Sequence, residues 1–152
     1  MAEDQQLVTF TLGAEEFGIE IMKVQEIIRI PPITRVPQAP GHFEGVINLR
    51  GNVISVINLR SRFGLPDGKN ERDDEVSRII VLKDHKREFG IRVDAVNEVL
   101  QPQDMDLEAP PSVSTGIDAS FIRGIGKVGD RLLIFLKLNA IMGDAEGEEI
   151  VG

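Results

Sequence analysis

The chain is 152 residues long, 41% hydrophobic and 28% charged, with a net charge of −8, values that fit a soluble globular protein of one domain or two very small ones. With no cysteine there is neither a disulfide scaffold nor a thiolate metal site; no apolar run approaches the roughly 20 residues of a membrane span, and the acidic start MAEDQQ is unlike a secretory signal, so a cytoplasmic location is expected. The acid excess is even, 8 basic against 12 acidic residues through Val76 and 9 against 13 after it; without a basic stripe, Trp or Tyr, nucleic acid is excluded as a partner.

In chain order, Val8-Thr9-Phe10-Thr11-Leu12 alternates apolar and polar residues as a half-buried strand does. Gly13-Ala14-Glu15 reads as a turn, after which Phe17-Gly18-Ile19-Glu20-Ile21 resumes the alternation. Val46–Leu49 and Val53–Leu59 flank Arg50-Gly51-Asn52, a tight hairpin turn. Leu59–Gly64 and Leu138–Gly143 allow a short helix or helical turn. Arg78–Lys83 and Phe89–Val93 form a strand pair around the polar turn Asp84–Arg87, and Arg131–Leu138 is a long apolar strand. The tail from Asp144 to Gly152 is acidic and reads as frayed.

Two of these stretches are nearly the same. EFGIEIMKVQEII at 16–28 returns as EFGIRVDAVNEVL at 88–100, with six of thirteen positions identical at an offset of 72 (88 − 16). GVINLRGNVISVINL, from Gly45 to Leu59, aligns without a gap on GIGKVGDRLLIFLKL, from Gly124 to Leu138, at an offset of 79 (124 − 45). Two long copies are too few for a solenoid, and matched order with matched spacing indicates a tandem duplication of one compact β unit. Short, numerous strands in two copies predict two small closed or nearly closed barrels, because closure hides strand edges. The subdomains are expected at 16–75 and 76–138, with the N-terminal strand and C-terminal segment completing them. The acidic run Glu71-Arg72-Asp73-Asp74-Glu75 is read as the linker.

Candidate catalytic and ligand motifs fail on context. Gly124-Ile125-Gly126-Lys127-Val128-Gly129 matches GxGxxG, but a dinucleotide loop must open a helix and this one runs into strand residues, so it reads as a glycine-rich hairpin turn. His42 and His85 lie in separate polar loops without carboxylates at ligand spacing, and Asp104-Met105-Asp106-Leu107-Glu108 lacks the glycine and terminal glutamate of a calcium loop. Pro37-Gln38-Ala39-Pro40 is read as a rigid connection between strands. No serine sits in a nucleophile elbow. Neither enzyme, metal nor cofactor is expected.

What remains is asymmetry between the copies. Arg50, at the tip of the first hairpin, aligns with Gly129, so a planar charged fork stands where the other copy has glycine. The loops also differ: 14 residues separate Ile28 from Phe43, and 20 separate Leu100 from Phe121. Two barrels with unequal loops leave a groove suited to a partner helix.

LVTFTLGAEEFGIEIMKVQEI, FEGVINLRGNVISVINLR and GDRLLIFL closely resemble the CheW family, the coupling proteins of bacterial chemotaxis, over about Leu7 to Met142. The resemblance implies a mainly β fold of two tandem five-stranded SH3-like β-barrel subdomains packed together, with a few short helices. It implies a non-catalytic adaptor that bridges the cytoplasmic tips of methyl-accepting chemoreceptors to the regulatory domain of the histidine kinase CheA. Carried over by motif, the receptor groove comprises Val24, Glu26, Arg50 and Val99, with Ile79 and Gly90 on nearby strands; the kinase contact comprises Ile19, Gly45 and Val46. The groove would accept the hydrophobic ridge of a receptor's helical hairpin while Glu26 and Arg50 set its register. The stretch before Leu7 is short, so no contact made through it is carried over. Alternatives within the adaptor class are a coupling protein of another receptor–kinase pathway, such as surface motility, or a CheV-like coupling domain, against which the lack of a phosphoacceptor domain speaks. A small-ligand-binding double β-barrel is the alternative from another class.

Overall fold

The computed structural model describes residues 6–37, 43–64, 76–84, 87–101, 106–108, 119–138 and 141. Both histidines, the end of the proline segment, the acidic run at 71–75 and the C-terminal tail lie outside them. Hairpin β1 (Leu7–Leu12) and β2 (Glu15–Glu20) is followed by a 3-10 turn (Ile21–Lys23), β3 (Val24–Arg29), hairpin β4 (Phe43–Leu49) and β5 (Asn52–Asn58), and helix α1 (Leu59–Phe63). Then come β6 (Arg78–Asp84), β7 (Arg87–Val93), β8 (Ala95–Leu100), β9 (Asp106–Glu108), a second 3-10 turn (Ala119–Phe121), β10 (Ile122–Val128) and β11 (Arg131–Leu136).

The strands follow the alternation with small corrections at their ends. β5 stops at Asn58, not Leu59, because the Asn58 side chain accepts a hydrogen bond from Ser61 N and caps α1. That helix ends at Gly64, whose left-handed φ of 76° is the usual glycine stop. The expected strand 131–138 ends at Leu136. In the GxGxxG stretch only Gly129 stands at the turn; Gly124 and Gly126 lie inside β10.

The strands form two sheets, a first of order β8-β1-β2-β11-β10-β9 and a second of order β3-β6-β7-β5-β4. The second has the five strands expected. The first has six, the sixth being the three-residue β9 against β10. Its counterpart in the second sheet is a single bridge, Thr34 to Val46, where each residue's N–H donates to the other's carbonyl at 2.9 and 2.8 Å. Among the described residues no pairing runs from the last strand of either sheet back to its first.

Each sheet draws on both copies of the repeat, so a boundary near residue 75 does not separate them. Hairpin β1–β2 lies in the sheet of β8–β11, and hairpin β6–β7 lies between β3 and β5. The exchange is symmetrical in register. β2 runs parallel to β11 with Phe17 opposite Ile134 and Gly18 opposite Phe135; β7 runs parallel to β5 with Phe89 opposite Ser55 and Gly90 opposite Val56. Even the bulges repeat, between Phe43 and Gly45 in one hairpin and between Ile122 and Gly124 in the other.

Three apolar clusters follow from this arrangement. The largest takes residues from both sheets, among them Phe10, Phe17, Ile19, Ile80, Phe89 and Ile134, with Leu59 and Phe63 of α1 packed in one turn apart. Each sheet also has its own cluster on the alternate positions: Ile47, Ile54, Val56, Ile79 and Val81 in the second, Leu7, Leu100 and Leu133 in the first. Strand β6 therefore reads as an unbroken apolar run, because Ile80 and Leu82 feed the shared cluster while Ile79 and Val81 feed their own sheet.

Candidate functional site

The β4–β5 hairpin closes with a two-residue loop, Arg50-Gly51, between the paired residues Leu49 and Asn52. Both loop residues have positive φ, 53° and 90°, the requirement of the turn whose twist suits a hairpin. Asn48 Oδ1 accepts the Gly51 N–H at 2.9 Å and fixes the turn. A side chain in the left-handed region is disfavoured by about 1 kcal/mol relative to glycine, and the equivalent loop of the other copy uses glycine: Gly129 has φ 60°. Arg50 is the one non-glycine residue with positive φ among the described residues.

Its guanidinium reaches Glu26 on β3. Nη1 donates to Oε2 at 3.2 Å and Nη2 to Oε1, a bidentate fork. The Arg50 hydrogen bond holds the Glu26 carboxyl below the usual carboxylate range, and the Glu26 carboxylate raises the arginine in turn. The Arg50 side chain is 65% exposed and that of Glu26 26%, so solvent screens the pair and it adds little to stability. It stands at the surface as an oriented polar pair.

The other predicted positions fall into two groups. Val24 is half-buried against the shared core, and Val99, 48% exposed, stands on β8 of the other sheet opposite Val8. Val46 is half-buried and held by Thr34. By contrast Ile79, Gly90 and Ile19 are buried. A Cβ on Gly90 would meet Ile79 Cγ2 at 2.7 Å, so the isoleucine fills the space that the glycine leaves. Gly45 has φ 153°, and a Cβ there would collide with the Thr34 carbonyl oxygen and lie 2.8 Å from Ile33 Cγ2. Successive pairings put Glu26, Val81, Gly90, Val56 and Gly45 in one row across the second sheet.

A second arginine was not singled out from sequence. Arg131 donates from Nε to Glu16 Oε1 at 3.1 Å, and from Nη2 to Glu16 Oε2 at 2.6 Å and Glu98 Oε2 at 2.7 Å. Asn97 Nδ2 adds bonds to Thr11 Oγ1 and Glu16 Oε2, and these side chains line an open polar cleft of about 570 Å³. Glu98 is the repeat mate of Glu26 (98 − 26 = 72). The repeated glutamate thus meets an arginine in both copies, through a bidentate fork at Glu26 and a single bond at Glu98, but Arg131 aligns with Asn52, not with Arg50 (131 − 52 = 79). Aligning identities hid this twin; asking what reaches each repeated glutamate would have found it.

Among the described residues no three His, Cys, Asp or Glu side chains gather as a metal site, and no helix is long and apolar enough to cross a membrane. The chain is a duplicated β-sheet module that carries ion pairs such as Glu26–Arg50 at its surface. Comparison with known proteins gives that module a family. The family model described as CheW-like domain matches residues 6–146. The chemotaxis protein CheW of Treponema pallidum is 36% identical over 97% of this chain and 88% of its own length. The probable chemotaxis protein CheW of Rhizobium etli is 34% identical over 95% and 92%. The crystal structure of the scaffolding protein TtCheW from Thermoanaerobacter tengcongensis superposes with a TM-score of 0.80 at 37% identity, covering 92% of this chain and 88% of that one. The chain belongs to the CheW-like domain family, and its role is that of a non-enzymatic chemotaxis scaffold.

Proposed function

We propose that this chain couples the cytoplasmic tips of methyl-accepting chemoreceptors to the regulatory domain of the histidine kinase CheA, as a cytoplasmic protein recruited to membrane-associated receptor arrays. The receptor surface centres on Glu26 and Arg50, and takes in Val24 on the same strand as Glu26 and Val99 on the other sheet, with Ile79 and Gly90 acting through packing within the second sheet. The kinase surface lies around Gly45 and Val46, with Ile19 buried in the core that the two sheets share. The observation that carries the receptor assignment is Arg50 itself. It keeps a strained backbone position that the other copy gives to glycine, and holds an exposed ion pair that adds little to the fold. A helical receptor tip would lay its apolar ridge along the valines and exchange polar contacts with the fork.

Binding of purified receptor signalling fragments to wild type and Arg50→His tests the assignment. Arg50→His should bind weakly while its circular dichroism spectrum and melting temperature stay close to wild type; unchanged binding would remove Arg50 from the receptor surface.

A further inference from the structure

The two copies of the repeat carry opposite charges at two matched places. Glu20 in β2 corresponds to Arg92 in β7 (92 − 20 = 72), and Glu44 in β4 corresponds to Arg123 in β10 (123 − 44 = 79). The first copy thus has glutamate at both places and the second has arginine at both. In the fold each charge meets its opposite from the other copy: Arg123 Nη1 donates to Glu20 Oε1 at 2.7 Å in the first sheet, and Arg92 Nη1 to Glu44 Oε2 in the second. Glu44 and Arg123 both sit in their hairpin's bulge, where the register shifts. Arg123 also lies over the Phe135 ring, 4.9 Å from its centroid.

Had each hairpin stayed with its own copy, Glu20 would face Glu44 and Arg92 would face Arg123. The apolar pattern is nearly indifferent between these arrangements. Phe17-Gly18-Ile19 and Phe89-Gly90-Ile91 are the same sequence, and both make the same parallel pairing. The charges are not indifferent. Glu44 is only 16% exposed and its Oε1 is buried without a hydrogen-bond partner, so a second carboxylate there in place of Arg92 would be strongly disfavoured.

We infer that Glu20, Glu44, Arg92 and Arg123 specify the strand exchange: they direct hairpin β1–β2 into the sheet of the second copy and hairpin β6–β7 into the sheet of the first. This is selection against an alternative topology that the repeated sequence would otherwise allow. Hairpin β6–β7 then stands between β3, which carries Glu26, and the β4–β5 hairpin, which carries Arg50. The inference does not depend on which partner binds there.

A charge-reversal cycle on the full chain tests it. The variants are Glu20→Arg with Arg92→Glu, Glu44→Arg with Arg123→Glu, all four together, and a neutral control, Glu20→Gln with Arg92→Gln. Thermal melts read stability, and cross-strand nuclear Overhauser contacts between β2 and β11 and between β5 and β7 read topology. Either double reversal should lower the melting temperature at least twice as far as the neutral control and weaken those contacts, and the quadruple reversal should recover most of both. Where a double reversal does not fold, a cooperative melt with native contacts in the quadruple gives the same support. Reversals no worse than the neutral control, or a quadruple variant that fails to recover, would overturn the inference.

Discussion

Arg50 and Gly129 occupy the same hairpin position with nearly the same φ, 53° and 60°. Glycine reaches that region without steric penalty and arginine does not. Arg50→Gly is therefore expected to leave the melting temperature unchanged or raise it slightly by relieving the turn, while weakening receptor binding roughly tenfold, about the loss of one charge-assisted contact. A thermal melt beside a binding isotherm checks both halves. The Glu26 carboxyl titrates below its ordinary value of 4.5 because Arg50 binds its charged form. The stabilisation of the pair is thus complete above that value and is lost as pH falls through the lower folded value. Carboxyl-carbon NMR should place the Glu26 midpoint below 4.5 in wild type and return it towards 4.5 in Arg50→Gln; an unmoved midpoint would mean that the fork does not form in solution. Gly90 makes a different claim. Gly90→Ala pushes a methyl into Ile79 and should destabilise by roughly 1–3 kcal/mol, and Ile79→Val added to it should restore much of that. Additive losses in denaturant melts would contradict the contact.

At the scale of the element, the strands were legible because each alternates or runs apolar in the way its layers require. β1 shows Val8, Phe10 and Leu12 to the shared core, and the Arg50-Gly51 turn announced its hairpin. The helix at 59–63 was legible from its glycine stop. Which hairpin joins which sheet was not legible from the apolar pattern, since the EFGI strand of either copy presents the same face to either neighbour. The discriminating signal lay in the mismatches of the repeat, Glu20 against Arg92 and Glu44 against Arg123, which an alignment scored for identity passes over. Arg131 was missed for a related reason: an arginine fork reaches several ångströms, so it can serve the same glutamate from a different residue. Gly45 is legible only in part. Glycine in a strand hints at a bulge or a close approach, but that the neighbour is the Thr34 carbonyl emerges from the fold. Gly45→Ala is expected to break the Thr34–Val46 bridge and lower the melting temperature; amide exchange at Val46 would report the loss as faster exchange than in wild type, and unchanged protection would contradict it.

For the whole molecule, duplication with exchange explains how a chain of 152 residues presents an oriented ion pair on a frame of two sheets. The shared core joins the sheets, each sheet's own cluster supports its outer strands, and the polar forks stand on top of this frame. Within the candidate site, Glu26 and Arg50 were legible as residues, whereas their mutual contact and the buried placement of Ile79 and Gly90 came from the fold. The proposed coupling role requires that two partners be engaged at once through separate surfaces. Co-sedimentation with receptor signalling fragments and the CheA regulatory domain, using wild type and Arg50→Gly, tests this most directly. Wild type should carry the kinase domain into the receptor pellet. Arg50→Gly should still bind the kinase domain in solution yet leave the pellet without it. A variant that bridges as well as wild type, or a wild type that pellets with neither partner, would contradict the account.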